Sequence, residues 1–468
     1  MFELETGTII LLIISLIAAC GFEFVNGFHD TANAVATVIY TNSLKPWVAV
    51  VWSGICNFIG VFAGGIGVAM GIVHLLPIEL LVNQDIYQSL AMIMALLLSA
   101  IFWNLATWYL GLPASSTHTL IGAIFGVGIA YSFLPHITYS GLNWVKAGEI
   151  GISLLISPAF GFLGTIFLMF LFKRLVKDGK IFKEPHKTQP PPKWIRSILI
   201  LTCTGVSFSH GSNDGQKGVG LVMLILIGMV PSYFALNKSK DILDMQQPLA
   251  RIEQVIYKIN PDELSRTDRT KLQDVKNQLT ETKLILQQTH GNSKAIPKEK
   301  KYLIRRNILF MESFTKKLNF QPLHTINSSD LKNLKESFKK LQQHTDYAPF
   351  WVLLMISISL GLGTMIGWKR IVKTVGEKIG KTHMSYAQGA SAELTAASTI
   401  GVSTFLGLPV STTHVLSSGI AGSMVASRGL GNLQGNTVRN ILLAWVLTLP
   451  VVMTLSGTLF LLFTSIFE

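Results

Sequence analysis

The chain has 468 residues, of which 49% are apolar and only 14% charged, with a formal net charge of +13. Soluble domains carry about 25% charged residues, so this composition excludes an ordinary water-soluble protein and points to a bilayer. The positive charge does not imply nucleic acid, because it gathers in polar segments that lack aromatic interleaving or a recognition-helix pattern.

The first apolar run covers residues 6–24. Its flank holds Glu3 and Glu5 and no Lys or Arg, so the basic region of a signal peptide is missing and the run reads as a retained first helix. Further apolar runs follow at 46–72, 86–110, 117–135, 149–172, 197–209, 217–235, 349–368, 384–406 and 438–463. Several reach the roughly 20 residues that a spanning helix needs. Cys20, Cys56 and Cys203 all lie in these runs without paired spacing, so they read as small core residues. Two polar stretches punctuate the chain. One is the basic linker 173–196, with Pro190, Pro191 and Pro192; the other is 237–348. Within the second, Leu272, Val275 and Leu279, and again Leu331, Leu334, Phe338 and Leu341, recur at helical spacing. A small helical appendage is predicted there.

The chain repeats itself. GFEFVNGFHDTANAVAT (21–37) aligns with GVSFSHGSNDGQKGVGL (205–221), so that Gly27 meets Gly211 and Asp30 meets Asp214 at an offset of 184. LGLPASSTH (110–118) aligns with LGLPVSTTH (406–414) at an offset of 296, bringing Pro113 to Pro409, Thr117 to Thr413 and His118 to His414. The extra 112 residues match the polar stretch 237–348. The predicted organisation is therefore a first transmembrane repeat at 1–172, the linker 173–196, the start of a second repeat at 197–236, the insert 237–348, and the rest of the second repeat at 349–468. Internal duplication in an apolar chain is a signature of secondary transporters, whose sites form between the repeats.

Charge asymmetry predicts that the copies are inverted. The linker 173–196 is basic and so cytoplasmic. The loop after 46–72 carries Glu79 and Asp85, whereas its counterpart 369–383 carries Lys369, Arg370, Lys373, Lys378 and Lys381. About ten full spans satisfy this, with two re-entrant segments at about 26–42 and 210–235, where Gly27 and Gly211 break the helices. The expected fold class is an all-α polytopic membrane protein with an inverted internal repeat.

An ionised residue at the bilayer centre costs about 2.5–3.5 kcal/mol, which makes Asp30 and Asp214 candidates for binding a coupling cation, a proton or a metal. Glu23 and Glu393 are further carboxylates in apolar runs. Pro113 and Pro409 interrupt helices, which places Ser115, Ser116 and Thr117, and Ser411, Thr412 and Thr413, at new helix N-termini. Free backbone N–H groups and the dipole favour an anion there, while simple N-capping is the plainer use of those hydroxyls. His118 and His414 are candidate proton carriers, as are His29 and His210. Lys217 is placed to neutralise Asp214 or touch the anion, and its counterpart is Asn33. Anion and cation sites together describe cation-coupled anion symport. There is no G-x-x-x-x-G-K-[ST] loop for ATP.

These motif pairs resemble the inorganic phosphate transporter (Pit/PiT) family, and within it the bacterial low-affinity Pit permeases. The resemblance is carried by NGFHDTANAVATVIYT (26–41), WYLGLPASSTHTLIGAI (108–124), the stretch 209–226, GTMIGWKRI (363–371) and GLPVSTTHVLSSGIAG (407–422). It implies phosphate uptake across the inner membrane as a neutral metal–phosphate complex, with magnesium as one such metal, moved with a proton. It also implies a homodimer; no bound cofactor is expected. Carried onto this chain, the substrate residues are Asn26, Asn213, Ser115, Ser116, Thr117, Ser411, Thr412 and Thr413. The resemblance also brings Asp30, Asn33 and Asp214 to the substrate. Read from the residues themselves, the candidates for cation or proton coupling are Asp30, Asp214, Asn33, Glu393, His118 and His414. Sodium-coupled relatives keep an Asn-rich G-x-N-D-x-x-N pattern, which 211–217 follows only as far as Asp214. That departure favours protons over sodium, and sodium-coupled phosphate or sulfate symport are the alternatives. A membrane hydrolase built on Ser115 or Ser116, His118 and Asp30 is the weaker rival, because a triad has no use for duplication and the chain lacks G-x-S-x-G. No enzymatic activity is expected.

Overall fold

A computed structural model describes residues 5–76, 86–134, 142–186, 189–288, 296–318, 320 and 325–467. Glu79 and Asp85, used above for loop charge, lie outside the described residues. Among these residues the backbone is helical apart from turns and one isolated bridge between Gly380 and Leu433.

Two compact units are present. In the first, the early part of the chain forms α1 (Thr6–Tyr40), α2 (Pro46–Ala63), α3 (Gly67–Val73), α4 (Ile86–Tyr109), α5 (Ser116–Tyr131), α6 (Trp144–Leu175) and α7 (Lys193–Met229). The second unit, Leu226–Tyr347, holds α8 (Gln246–Lys258), α9 (Arg266–Gln288), α10 (Lys298–Lys317) and α11 (Ser328–Thr345). The first unit resumes with α12 (Phe350–Thr364), α13 (Lys369–Glu377), α14 (Tyr386–Phe405), α15 (Thr412–Arg428) and α16 (Gly435–Phe467).

Among the described residues, five helices, α1, α2, α4, α6 and α16, are long and apolar enough to cross a membrane. Their outer faces suit lipid. On α6, Leu155, Phe160, Leu163, Phe167 and Phe170 are all at least 60% exposed, a patch that a soluble protein would not leave in water. The inner faces are built from small residues. Gly161 of α6 abuts Val415 and Ser418 of α15, and Gly126 of α5 abuts Met453 and Ser456 of α16. Such positions let backbones approach closely, which is how helices associate where lipid removes the hydrophobic drive.

The predicted breaks at Gly27 and Gly211 are not there. Helices α1 and α7 run unbroken through both glycines, so segments 26–42 and 210–235 are not re-entrant at those residues. A glycine inside a helix costs only about 1 kcal/mol against alanine, which close packing outweighs. A Cβ on Gly27 would stand 2.5 Å from Leu360 O and 2.9 Å from Thr364 N of α12. Gly211 meets Asn57 of α2 in the same way. The pairing is reciprocal between the two stretches that carry the aligned motifs: α1 packs on α12, and α7 on α2. Helix α6 likewise packs on α15, and α16 on α5.

The true breaks lie at the proline motifs. Helix α4 ends at Tyr109 and α5 begins at Ser116; α14 ends at Phe405 and α15 begins at Thr412. Gly111 (φ 67°) and Gly407 (φ 68°) turn the chain in the left-handed region, which glycine adopts without steric cost. Pro113 and Pro409 stand ahead of the new helices rather than in their first turns.

In the second unit, Leu272, Val275, Leu279, Leu334, Phe338 and Leu341 are buried in one apolar cluster, while Leu331 is exposed. Arg305 is buried beside it and donates from Nη1 to the carbonyls of Thr345 and Ala235. Replacing it with leucine leaves both acceptors without that donor, at about 1–3 kcal/mol for a buried unsatisfied group. Arg305→Leu is therefore expected to speed amide exchange across 298–345 by roughly tenfold or more, measured by hydrogen–deuterium exchange on the whole protein.

Candidate functional site

Asp30 and Asp214 come from the middle of α1 and α7, which the glycine contacts hold deep in the first unit. Both are buried, at 2% and 0% exposure. The two proline turns bring the N-termini of α5 and α15 to the same place. Ser116 donates to Asp30 Oδ2 at 2.9 Å, and Thr413 donates to Asp30 Oδ1 at 2.8 Å. One carboxylate is thus held by a hydroxyl from each copy. His29 Nδ1 stands 3.0 Å from Asp30 Oδ1, and its Nε2 is 3.1 Å from Thr107 Oγ1.

The second acid has a different neighbour. Lys217, one turn along α7, places Nζ 2.5 Å from Asp214 Oδ2 and 2.6 Å from Thr117 Oγ1. His210 lies between the two acids, with Nε2 3.7 Å from Asp30 Oδ2 and 3.4 Å from Asp214 Oδ2. Asn57 Oδ1 sits 2.9 Å from His210 Nδ1, and the Asn57 amide donates to Thr364 Oγ1 at 3.0 Å. This orients the ring, as an outer partner does for a ligating histidine. Asp30, His210 and Asp214 offer three ligand atoms within 4.8 Å of one another, close enough to hold one metal ion.

The six hydroxyls divide by position. Ser115 and Ser411 are N-caps, accepting from the backbone N–H of His118 and His414 at 3.1 Å each, the plain use foreseen for this pattern. Ser116 and Thr413 turn to Asp30. Thr117 donates to Val410 O at 2.8 Å and so ties the first motif to the second. Thr412 Oγ1 is buried without a protein partner, as are Asp214 Oδ1 and Asn33 Oδ1. Asn33 Nδ2 donates to Thr413 Oγ1 at 3.0 Å.

Other expected residues stand apart from the acids. Asn26 donates to Glu23 Oε1 at 3.1 Å. Asn213 clamps the second proline turn, donating to Thr404 Oγ1 and Leu408 O and accepting from Val410 N. Glu393 accepts from Thr202 Oγ1 at 2.5 Å. His118 and His414 meet each other, with ring centroids 4.4 Å apart, and His414 stacks on Trp445 at 3.8 Å. Thr107 and Asn57 escaped the sequence reading because both lie outside the repeated motifs. His210 carried a readable signal: it stands four residues before Asp214 and therefore on the same helix face.

Known proteins give this geometry a setting. Residues 26–456 match the Phosphate transporter family. A low-affinity inorganic phosphate transporter of Buchnera aphidicola from Acyrthosiphon pisum is 42% identical, over 96% of both chains. The low-affinity inorganic phosphate transporter PitA of Escherichia coli K12 is 40% identical, over 98% of this chain and 97% of its own length. A probable low-affinity inorganic phosphate transporter of Bacillus subtilis is 29% identical, over 98% and 99%. A solved structure described as the sodium-dependent phosphate transporter shares the fold, with a TM-score of 0.55 at 20% identity, covering 97% of this chain and 99% of its own. The relatives and the apolar helices together indicate a multi-pass membrane protein. Matched over most of its length by a family and by relatives at 40% identity or more, the chain belongs to the inorganic phosphate transporter (Pit/PiT) family.

Proposed function

We propose that this protein is a secondary transporter that carries inorganic phosphate into the cytoplasm across the inner membrane, coupled to a cation. The observation that carries the reading is the convergence on Asp30 of Ser116 and Thr413, hydroxyls at the starts of α5 and α15 from opposite copies. Helix N-termini favour an oxyanion, and buried carboxylates favour the cation that travels with it. The copies are inverted in this reading, so that rearranging one against the other exposes the site to alternate sides. Burial of both acids, His210 and Lys217 fits an occluded state in that cycle.

Coupling follows from energetics. Moving a dianion into a negative interior costs about 2.3 kcal/mol per charge per 100 mV. A neutral metal–phosphate complex moved with a proton removes that cost, with Asp30, His210 and Asp214 as the groups that face the metal or proton. Sodium is the second reading, favoured by the solved neighbour's description as sodium-dependent.

Radiolabelled phosphate uptake into proteoliposomes tests both. Uptake that requires a proton gradient and magnesium and ignores a sodium-for-potassium exchange is the expected result. Uptake that follows sodium moves the cation role of the acids to sodium. No phosphate uptake under any gradient overturns the transport reading.

A further inference from the structure

The two halves of the site are built alike except for one charge. Three residues beyond Asp30 stands Asn33, and three beyond Asp214 stands Lys217. Their hydroxyl partners, Thr413 and Thr117, are themselves equivalent in the repeat. Asn33 Nδ2 donates to Thr413 Oγ1 at 3.0 Å, and Lys217 Nζ donates to Thr117 Oγ1 at 2.6 Å. A neutral amide in one copy therefore occupies the place of an amine in the other.

The surroundings of Nζ are those of a bound cation. Thr117 spends its O–H on Val410 O at 2.8 Å, and Ser116 spends its own on Asp30 Oδ2 at 2.9 Å. Both hydroxyl oxygens then turn lone pairs to Nζ, at 2.6 and 3.5 Å, while Asp214 Oδ2 accepts at 2.5 Å. Three acceptors around an –NH3+ match its three donors. A carboxylate and hydroxyl oxygens are also the donors that hold a hard metal cation. The side chain is fully buried, at 0% exposure, so its counter-charge comes from Asp214 and not from water. Asp30 has no lysine or arginine partner: its oxygens accept from two hydroxyls and face the ring nitrogens of His29 at 3.0 Å and His210 at 3.7 Å, which carry charge only when protonated.

The geometry points to Lys217 as a tethered replacement for one co-transported monovalent cation: its ammonium stays on Asp214 Oδ2, and only the Asp30 half takes a mobile monovalent cation in each cycle. Asp214 Oδ1, which has no protein partner, is left to face the metal of a metal–phosphate complex. The inference rests on the phosphate–cation symport proposed above. It gives the repeat an asymmetric stoichiometry, in which each phosphate crosses with one mobile monovalent cation fewer than a site with Asn in both copies would carry.

Reversal potentials of phosphate flux in proteoliposomes measure the charge moved per phosphate. Lys217→Asn, which makes the second copy match the first, is expected to add about one elementary charge per phosphate, and the reciprocal Asn33→Lys to remove about one. Lys217→Arg keeps the wild-type ratio even where uptake slows, which a merely structural ion pair does not require of the other two variants. An unchanged ratio in Lys217→Asn overturns the inference. Phosphate–phosphate exchange by the wild-type protein without any cation gradient separates the two levels. If that exchange is absent, the transport reading fails; if it is present with an unchanged ratio, only the tethered cation fails. Should the variants bind but not move phosphate, equilibrium binding of inorganic phosphate in detergent decides. Dependence on the coupling cation that is steeper by one ion in Lys217→Asn supports the inference, and an equal slope sinks it.

Discussion

Asp30→Asn is expected to reduce coupled phosphate uptake by roughly 10- to 100-fold, because it removes the negative charge that faces the coupling cation in the proposed cycle, and a charge-assisted contact contributes about 1.5–3 kcal/mol. In the wild-type protein that carboxylate accepts hydrogen bonds from two hydroxyls. Those bonds come from Ser116 and Thr413, so this one carboxylate joins the helix starts of both copies. The amide keeps the shape but removes the charge. Ser116 and Thr413 can rotate their O–H groups to suit a donor, so the fold survives with little loss of melting temperature. Asp214→Asn behaves differently. It strips the counter-ion from fully buried Lys217, and breaking a buried pair by removing one partner costs about 3–5 kcal/mol. Uptake assays and thermal melts on the two purified variants separate the cases. Uptake by Asp30→Asn within threefold of wild type would place the coupling cation elsewhere.

Gly27→Val and Gly211→Val are expected to abolish the folded protein, seen as loss of the monodisperse peak in detergent and of all phosphate uptake. A Cβ at Gly27 already meets Leu360 O at 2.5 Å and Gly363 C at 3.0 Å, and these are backbone atoms that cannot rotate aside. Overpacking costs about 1–3 kcal/mol and occasionally more. Here it also pries α1 off α12, or α7 off α2, and so carries an aspartate away from its hydroxyls. Gly21 is the control on the same helix, because nothing lies within 4 Å of a Cβ there. Gly21→Ala is expected to be harmless or to stabilise by about 1 kcal/mol at most. Equal tolerance of substitution at Gly21 and Gly27 would refute the packing.

Much of the candidate site is legible in the sequence. Asp30 and Asp214 stand out because charge is costly in an apolar run, and duplication of their surroundings marks them as a pair. The proline–hydroxyl motifs announce helix starts, which Ser115 and Ser411 cap, while Ser116 and Thr413 in the first turns donate to Asp30. What misled was glycine. The same residue permits a break, a left-handed turn or a close helix crossing, and one sequence pattern fits all three. At 111 and 407 it turns the chain; at 27 and 211 it admits a neighbouring backbone. Only the neighbour distinguishes them, and the neighbour of Gly27 lies more than 300 residues along the chain.

The apolar composition places the chain in a membrane, and aligning the chain with itself shows the paired motifs around Asp30 and Asp214 and around the two proline turns. Each of these depends on local composition or on comparison of the chain with itself. Which helix supplies which partner follows only from the packing. It gave Asp30 hydroxyls from two helices, gave Asp214 a lysine, set His210 between them, and turned Asn26, Asn213 and Glu393 to other contacts. The reason is physical. A buried polar group costs free energy unless it is paired, and the identity of the partner depends on which helices the small residues allow to touch.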